Sequence, residues 1–277
     1  MLTILWNPDL TAFSLFGFHV RWYSLCWCIG LLLAYLFAAR LYKQQKLGED
    51  KFEPLFVYCF VGILAGARLG HCFFYQPEYF LAHPLEILLP IRQTVDGWQY
   101  VGYEGLASHG GTLGLIIALW LYVRKTKINM MRVLDNIAIV TPITACFIRL
   151  GNLMNSEIVG TPTEKPWGFI FAQNGETIAR HPGQLYEAIA YFVFFWIGLY
   201  LYRNYKQRVG TGFFFGFCLT SIFVFRFFVE NFKEVQVGFE STMLINMGQI
   251  LSIPFIALGI YCLMGGKLCR KLGEKKK

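Results

Sequence analysis

The sequence predicts an all-α integral membrane protein with seven transmembrane helices, and three observations predict it. The chain is 56% hydrophobic and only 15% charged. Its apolar residues fall in continuous runs rather than in the amphipathic stripes of a soluble helix. Those runs are about 20 residues long, which is the length that crosses a bilayer as a helix. We place the spans at residues 18–40, 54–75, 105–123, 133–150, 184–202, 210–229 and 244–264. No linker, repeat or low-complexity tract divides the chain, so residues 1–277 read as one membrane-embedded domain.

The first span is too long for the apolar region of a cleavable leader and lacks a basic segment before it, so we expect it to remain in the mature chain. Charge then orients the bundle. Segments 40–53, 124–132, 203–209 and the tail after 264 hold 4, 4, 3 and 6 Lys or Arg. The N-terminal segment and the loops 76–104, 151–183 and 230–243 hold only Arg21, Arg92, Lys165, Arg180 and Lys233. Basic residues mark the cytoplasmic side, which puts the N-terminus outside and the C-terminus in the cytoplasm. The net charge of +8 is therefore a matter of orientation and not a sign of nucleic-acid binding. The eight cysteines lie in spans or in the tail and read as small buried hydrophobes.

Three cations remain inside the apolar runs: Arg68, Arg149 and Arg226. A cation at bilayer depth costs on the order of 3 to 10 kcal/mol, and with this topology all three approach the outer leaflet. Polar residues from the other spans fall in the same layer: Tyr23, His109, the cluster His181-Pro182-Gly183-Gln184-Leu185-Tyr186-Glu187, Asn246 and Gln249. Matching depth points to a shared anionic partner.

The densest constellation is Arg149-Leu150-Gly151-Asn152-Leu153-Met154-Asn155-Ser156-Glu157-Ile158-Val159-Gly160. Arg149 and Asn152 share a helix face, and a guanidinium fork with amide neighbours makes a cradle for phosphate oxygens. Gly160 suits a turn with positive φ. The structural alternative is a snorkelling arginine paired with Glu157. In span six Arg226, Glu230 and Lys233 sit at i, i+4 and i+7, either as an ion-pair ladder or with Glu230 fixing Arg226 for a ligand. Gly62, Gly66 and Gly70 make a small-residue face for helix packing, beside which Arg68 reads as structural more than catalytic. His109 could serve as a general base, with Gly110 and Gly111 letting a substrate approach; the alternative is a neutral histidine bonded to a loop carbonyl. No metal-ligand spacing, phosphate-binding loop, G-x-S-x-G or dinucleotide fingerprint occurs, so the chemistry calls for no cofactor and no metal.

Taken together these residues resemble the prolipoprotein diacylglyceryl transferase family. The resemblance rests on the 149–160 segment, Arg21-Trp22-Tyr23, Gly66-Ala67-Arg68-Leu69-Gly70, Ser108-His109-Gly110-Gly111, His181 to Glu187, Arg226-x3-Glu230 and Met247-Gly248-Gln249-x-Leu251-Ser252-x-Pro254, in that family's order over nearly the whole chain. It implies a multi-pass enzyme of the bacterial cytoplasmic membrane with long periplasmic loops. Such an enzyme moves the diacylglyceryl group of phosphatidylglycerol onto the lipobox cysteine of a prolipoprotein signal peptide. By the same match His109, Arg149, Arg226 and Tyr23 would be catalytic. Arg149, Asn152, Glu157, Gly160, Arg226, Glu230, Gly110 and Arg68 would line the lipid and phosphate site. The family usually carries arginine where this chain has Lys233, and a tyrosine found in some relatives is Ile222 here. Two rival readings stand beside it: a transporter for an anionic ligand, and a non-enzymatic lipid-binding scaffold.

Overall fold

A computed structural model describes residues 3–15, 17–94, 97–100, 105–234 and 245–273. The chain opens on short strands, β1 (Ile4–Trp6), β2 (Thr11–Leu15) and β3 (Phe18–Arg21), before helix α1 (Trp22–Gln44). Next come α2 (Glu49–Phe74), the short helices α3 (Pro77–Ala82) and α4 (Pro84–Leu88), and a ribbon of β4 (Ile91–Thr94) and β5 (Gly97–Tyr100). Helices α5 (Ser108–Thr126) and α6 (Met130–Met154) follow, then strand β6 (Phe169–Phe171). The last helices are α7 (Gly183–Asn204), α8 (Phe213–Val229), α9 (Met247–Leu263) and α10 (Lys267–Gly273).

Every predicted span coincides with a helix, but the helices are not equally suited to a membrane. Among the described residues five are long and apolar enough to cross one: α1, α2, α6, α7 and the helical stretch from Phe213 to Phe232. Helices α9 and α10, bent by 63° at their junction, make a sixth if they count as one span. The expected third span is the weak one. Helix α5 opens on Ser108-His109-Gly110-Gly111-Thr112 and closes on Arg124-Lys125. The apolar stretch left, residues 113–123, is about 16 Å long at 1.5 Å per residue, about half a hydrocarbon core. The expected all-α fold also acquires three two-stranded sheets: parallel β1–β6, antiparallel β2–β3 and antiparallel β4–β5. Their strands of 3 to 5 residues are too short to leave a periodic signal.

The chain divides into two compact units, one of residues 1–41 and 131–277, the other of residues 42–130. In the second unit the small-residue face of α2 performs as expected, and its partner is α5. A Cβ on Gly70 would lie 2.8 Å from the Cα of Gly110, one on Gly62 2.5 Å from the Cβ of Ala118, and one on Gly66 would strike the Gly110 carbonyl. Residues 110, 114 and 118 thus mesh with 62, 66 and 70, the close backbone approach that small residues permit.

In the first unit α6, α7 and α8 share a core of Cys146, Ala188 and Tyr191, packed against by Leu150, Ile222 and Phe225. Gly216 and Gly259 let α8 and α9 touch: a Cβ on Gly259 would lie 2.8 Å from the Thr220 nitrogen. Asp135, a fully buried carboxylate on α6, accepts from the backbone N–H groups of Gly210 at 2.8 Å, Gly212 at 3.1 Å and Phe215 at 2.9 Å. These are the unpaired donors at the start of α8, so a side chain from another helix caps it.

Candidate functional site

The site in the first unit begins where α6 ends. Helix α6 runs to Met154, and the chain then reverses through two non-glycine residues in the left-handed region, Ser156 (φ 53°) and Ile158 (φ 56°). Side chains there are strained and need outside support. Glu157, between them, supplies it: its carboxylate accepts from Asn152 Nδ2 at 2.9 Å and from Asn155 Nδ2 at 3.0 Å. Its backbone carbonyl accepts from Gln184, a fully buried residue in the first turn of α7. The Ser156 carbonyl accepts from Asn174 at 2.8 Å.

Asn152, with its amide nitrogen committed to Glu157, turns its carbonyl oxygen to Arg149 Nη1 at 3.3 Å. Arg149 does not pair with Glu157, as the structural alternative had it. Its Nε lies 3.0 Å from Oε2 of Glu187, a carboxylate with no exposed surface on α7. The same oxygen lies 3.3 Å from Lys233 Nζ, which is also 3.2 Å from Glu230. Tyr191 donates to the other oxygen of Glu187 at 3.0 Å. A continuous chain of charged and amide groups thus runs Glu157, Asn152, Arg149, Glu187, Lys233, Glu230. Arg149 thus makes one hydrogen bond, from Nη1 to Asn152, and one ion pair, at Nε with Glu187, and its Nη2 has no partner among the described residues.

Arg226 approaches from α8. Its guanidinium has no hydrogen-bond or ion-pair partner among the described residues, and it lies within electrostatic reach of the Tyr191 hydroxyl, as Arg149 does. The expected pairing with Glu230 is overturned. The backbone keeps helical geometry as far as Glu230, whose N–H donates to the Arg226 carbonyl, and a 3₁₀ turn follows; the Glu230 carboxylate pairs instead with Lys233 and lies across Gly248. Tyr23, at the start of α1, is half-buried with its ring packed on Gly151: a Cβ there would lie 2.9 Å from Tyr23 Cδ2.

Gly160 is required for a different reason from the one expected. Its φ is not positive; instead it lies where strands of backbone converge. It bridges to Lys233, its N–H donates to the His181 carbonyl at 2.9 Å, and a Cβ would lie 2.7 Å from that of His181 and collide with the Phe232 carbonyl. Arg180 fastens the same junction, with Nε 2.9 Å from Glu176 and Nη1 3.2 Å from Glu234. His181 Nδ1 and the Tyr186 hydroxyl share a hydrogen bond at 2.9 Å, and the Tyr186 oxygen accepts from the Trp167 indole at 3.0 Å. Burial, with Lys165 nearby, holds this imidazole below its usual pKa. Sequence reading missed Glu187 and Arg180 as site-forming residues. The available signal was a carboxylate one turn inside an apolar helix, which needs a buried cation.

The remaining expected residues belong to the second unit. Arg68 is buried and saturated: its guanidinium donates to the carbonyls of Ile87 (3.2 Å) and Glu86, and it stacks 4.8 Å from the centroid of Phe80. This geometry fastens α3 and α4 to α2 and replaces the phosphate-lining role the sequence suggested. Glu86 is itself buried, accepting from Tyr79 at 2.7 Å and from the Gln93 N–H at 2.9 Å. Gly110 likewise packs against α2 rather than opening room for a ligand. His109 is exposed on the first turn of α5, and its ring has no hydrogen bond among the described residues. A groove of about 690 Å³ lined by Tyr75 to Tyr79 and Arg92 contains none of the expected site residues.

Fold and site define a multi-pass membrane protein that holds a carboxylate-braced, partly unsatisfied guanidinium inside its helices, a site shaped for an oxyanion. Residues 10–265 match the family model of prolipoprotein diacylglyceryl transferase. Among relatives named phosphatidylglycerol–prolipoprotein diacylglyceryl transferase, that of Bacteroides fragilis is 59% identical over 94% of each chain. Those of Tolumonas auensis and Porphyromonas gingivalis are each 42% identical, covering 94% of this chain and 96% and 94% of theirs. The chain belongs to the prolipoprotein diacylglyceryl transferase family.

Proposed function

We propose that the protein transfers the diacylglyceryl group of phosphatidylglycerol to the lipobox cysteine thiol of a prolipoprotein signal peptide, in the bacterial cytoplasmic membrane, as a single transferase domain. All seven long helices cross the bilayer in this reading, with the N-terminus and the site at the periplasmic side and the basic tail in the cytoplasm, as the loop charges require. The substrate sulfur attacks the glycerol carbon that bears the phosphate. The carbon–oxygen bond breaks, a thioether forms and glycerol phosphate leaves with the bonding electrons.

The observation that carries this reading is the Arg149 guanidinium, braced by an ion pair to Glu187 and a hydrogen bond to Asn152, with Nη2 unpartnered among the described residues. Fixed donors aimed at charge developing on a leaving group lower a barrier most in a site shielded from water. Arg149 and Arg226 take the phosphate. Asn152, Glu157 and Gly160 hold the segment that presents Arg149, and Glu230 balances Lys233. His109, with Tyr23, accepts the thiol proton, since the thiolate is the nucleophile. Arg68 and Gly110 act through the packing of α2 and α5.

Purified protein incubated with phosphatidylglycerol and a lipobox peptide tests the reaction by mass spectrometry. The expected result is a diacylglyceryl increment on the peptide; lipid binding without that increment would leave a scaffold. His109→Gln tests the base, with turnover expected to fall roughly 100-fold or more; turnover near wild type removes that assignment.

A further inference from the structure

We infer that Glu187 is a positioning residue for this transfer, holding the Arg149 guanidinium in the orientation that presents its Nη2 to the lipid phosphate. The inference rests on the phosphate-binding role proposed for Arg149. Glu187 sits on an apolar helix with no exposed surface, where an unpaired carboxylate would be strongly disfavoured. Its partners come from three directions: Arg149 and Lys233 on Oε2, the Tyr191 hydroxyl on Oε1. Rotating the carboxylate breaks at least one of these contacts, so its position is fixed.

The consequence falls on Arg149. A guanidinium is planar, so two anchored nitrogens restrict how it can turn. Nε is held by the Glu187 charge in an ion pair at 3.0 Å, and Nη1 donates to Asn152 at 3.3 Å. Nη2 has no partner among the described residues and is the amino group left to meet a phosphate oxygen. Lys233 does not compete for that anion, because it lies between Glu187 and Glu230. The carboxylate thus aims one cation and holds the other in place.

A double-mutant cycle separates this role from a merely structural one. Transfer to the lipobox peptide is measured for Glu187→Gln, Arg149→Lys and the pair. Glu187→Gln should lower kcat/KM roughly 10- to 100-fold, as expected for losing a charged hydrogen bond. In the Arg149→Lys background it should cost little more, because the group it aims is already gone. Losses that multiply, or a Glu187→Gln enzyme as active as wild type, overturn the inference while leaving the Arg149 assignment standing. A wild-type rate for Arg149→Lys alone overturns that assignment, and this inference with it. If Glu187→Gln does not accumulate in membranes, Tyr191→Phe, which keeps the buried charge, carries the same cycle: a few-fold loss that disappears beside Arg149→Lys supports the inference, and an unchanged few-fold loss there overturns it.

Discussion

Two arginines inside apolar helices, one in each unit, solve the same electrostatic problem in opposite ways. Arg68 on α2 is closed off: two backbone carbonyls and the Phe80 ring occupy its guanidinium. Arg149 on α6 is braced by a carboxylate at Nε and an amide at Nη1, with Nη2 unpartnered among the described residues. Backbone carbonyls and an aromatic ring make Arg68 a clasp between elements. A buried carboxylate neutralises Arg149 while leaving donors unfilled, which suits a group that must receive an anion and release it. What distinguishes them is the kind of partner each holds.

The contrast breaks first at Arg149. Arg149→Lys keeps the charge but loses the fork, and we expect transfer to drop on the order of 100-fold in protein that still accumulates and unfolds near the wild-type temperature. Arg68→Ala should do the reverse. It leaves two carbonyls without their donor, costing about 2 to 4 kcal/mol, read as a lower unfolding temperature in detergent with turnover per folded molecule retained within several-fold. If Arg68→Ala unfolds as wild type but loses transfer, the clasp reading is wrong. Gly66→Ala sharpens the description of the second unit. The added methyl meets the Gly110 carbonyl, and an overpacking cost of about 1 to 3 kcal/mol is expected, measurable by thermal unfolding. Enlarging the exposed Leu113 of α5 to phenylalanine should change nothing comparable.

The smallest effect concerns pH. Burial and Lys165 lower the pKa of His181 in the folded protein, so the unfolded chain takes up its proton first. Stability should therefore be full above the ordinary histidine value of about 6.5 and decline as pH falls through and below it. Lys165→Gln, which removes the nearby positive charge, should flatten that decline in unfolding measured between about pH 5 and 8.

The sequence made the Arg149–Asn152–Glu157 grouping legible because helical spacing and one tight turn bring those residues together over nine positions. Spacing was not enough at Arg226 and Glu230: the helical register holds as far as Glu230, but the 3₁₀ turn that follows brings Lys233 round to its carboxylate. The role of Glu187 depended on a pairing between α6 and α7 that no local pattern encodes. Gly160 was noticed for the right identity and the wrong cause: crowding by His181 and Phe232, not backbone sign, excludes a side chain there. The small sheets were invisible, being held by backbone bonds among residues of no special composition. Length and hydropathy gave seven helices, yet α5 owes its place to glycines meshing with α2 more than to apolar content.

Asp135 gives the oxyanion site a remote fulcrum. It sits 14 residues before Arg149 on the same helix, about 21 Å away along the axis, and its hold on the first amides of α8 sets how far that helix can slide. Arg226 rides at the opposite end of α8. The spacing between the two guanidinium groups is therefore governed from a carboxylate that never meets a substrate, and loosening it would be felt as a blurred grip on phosphate rather than as a missing contact.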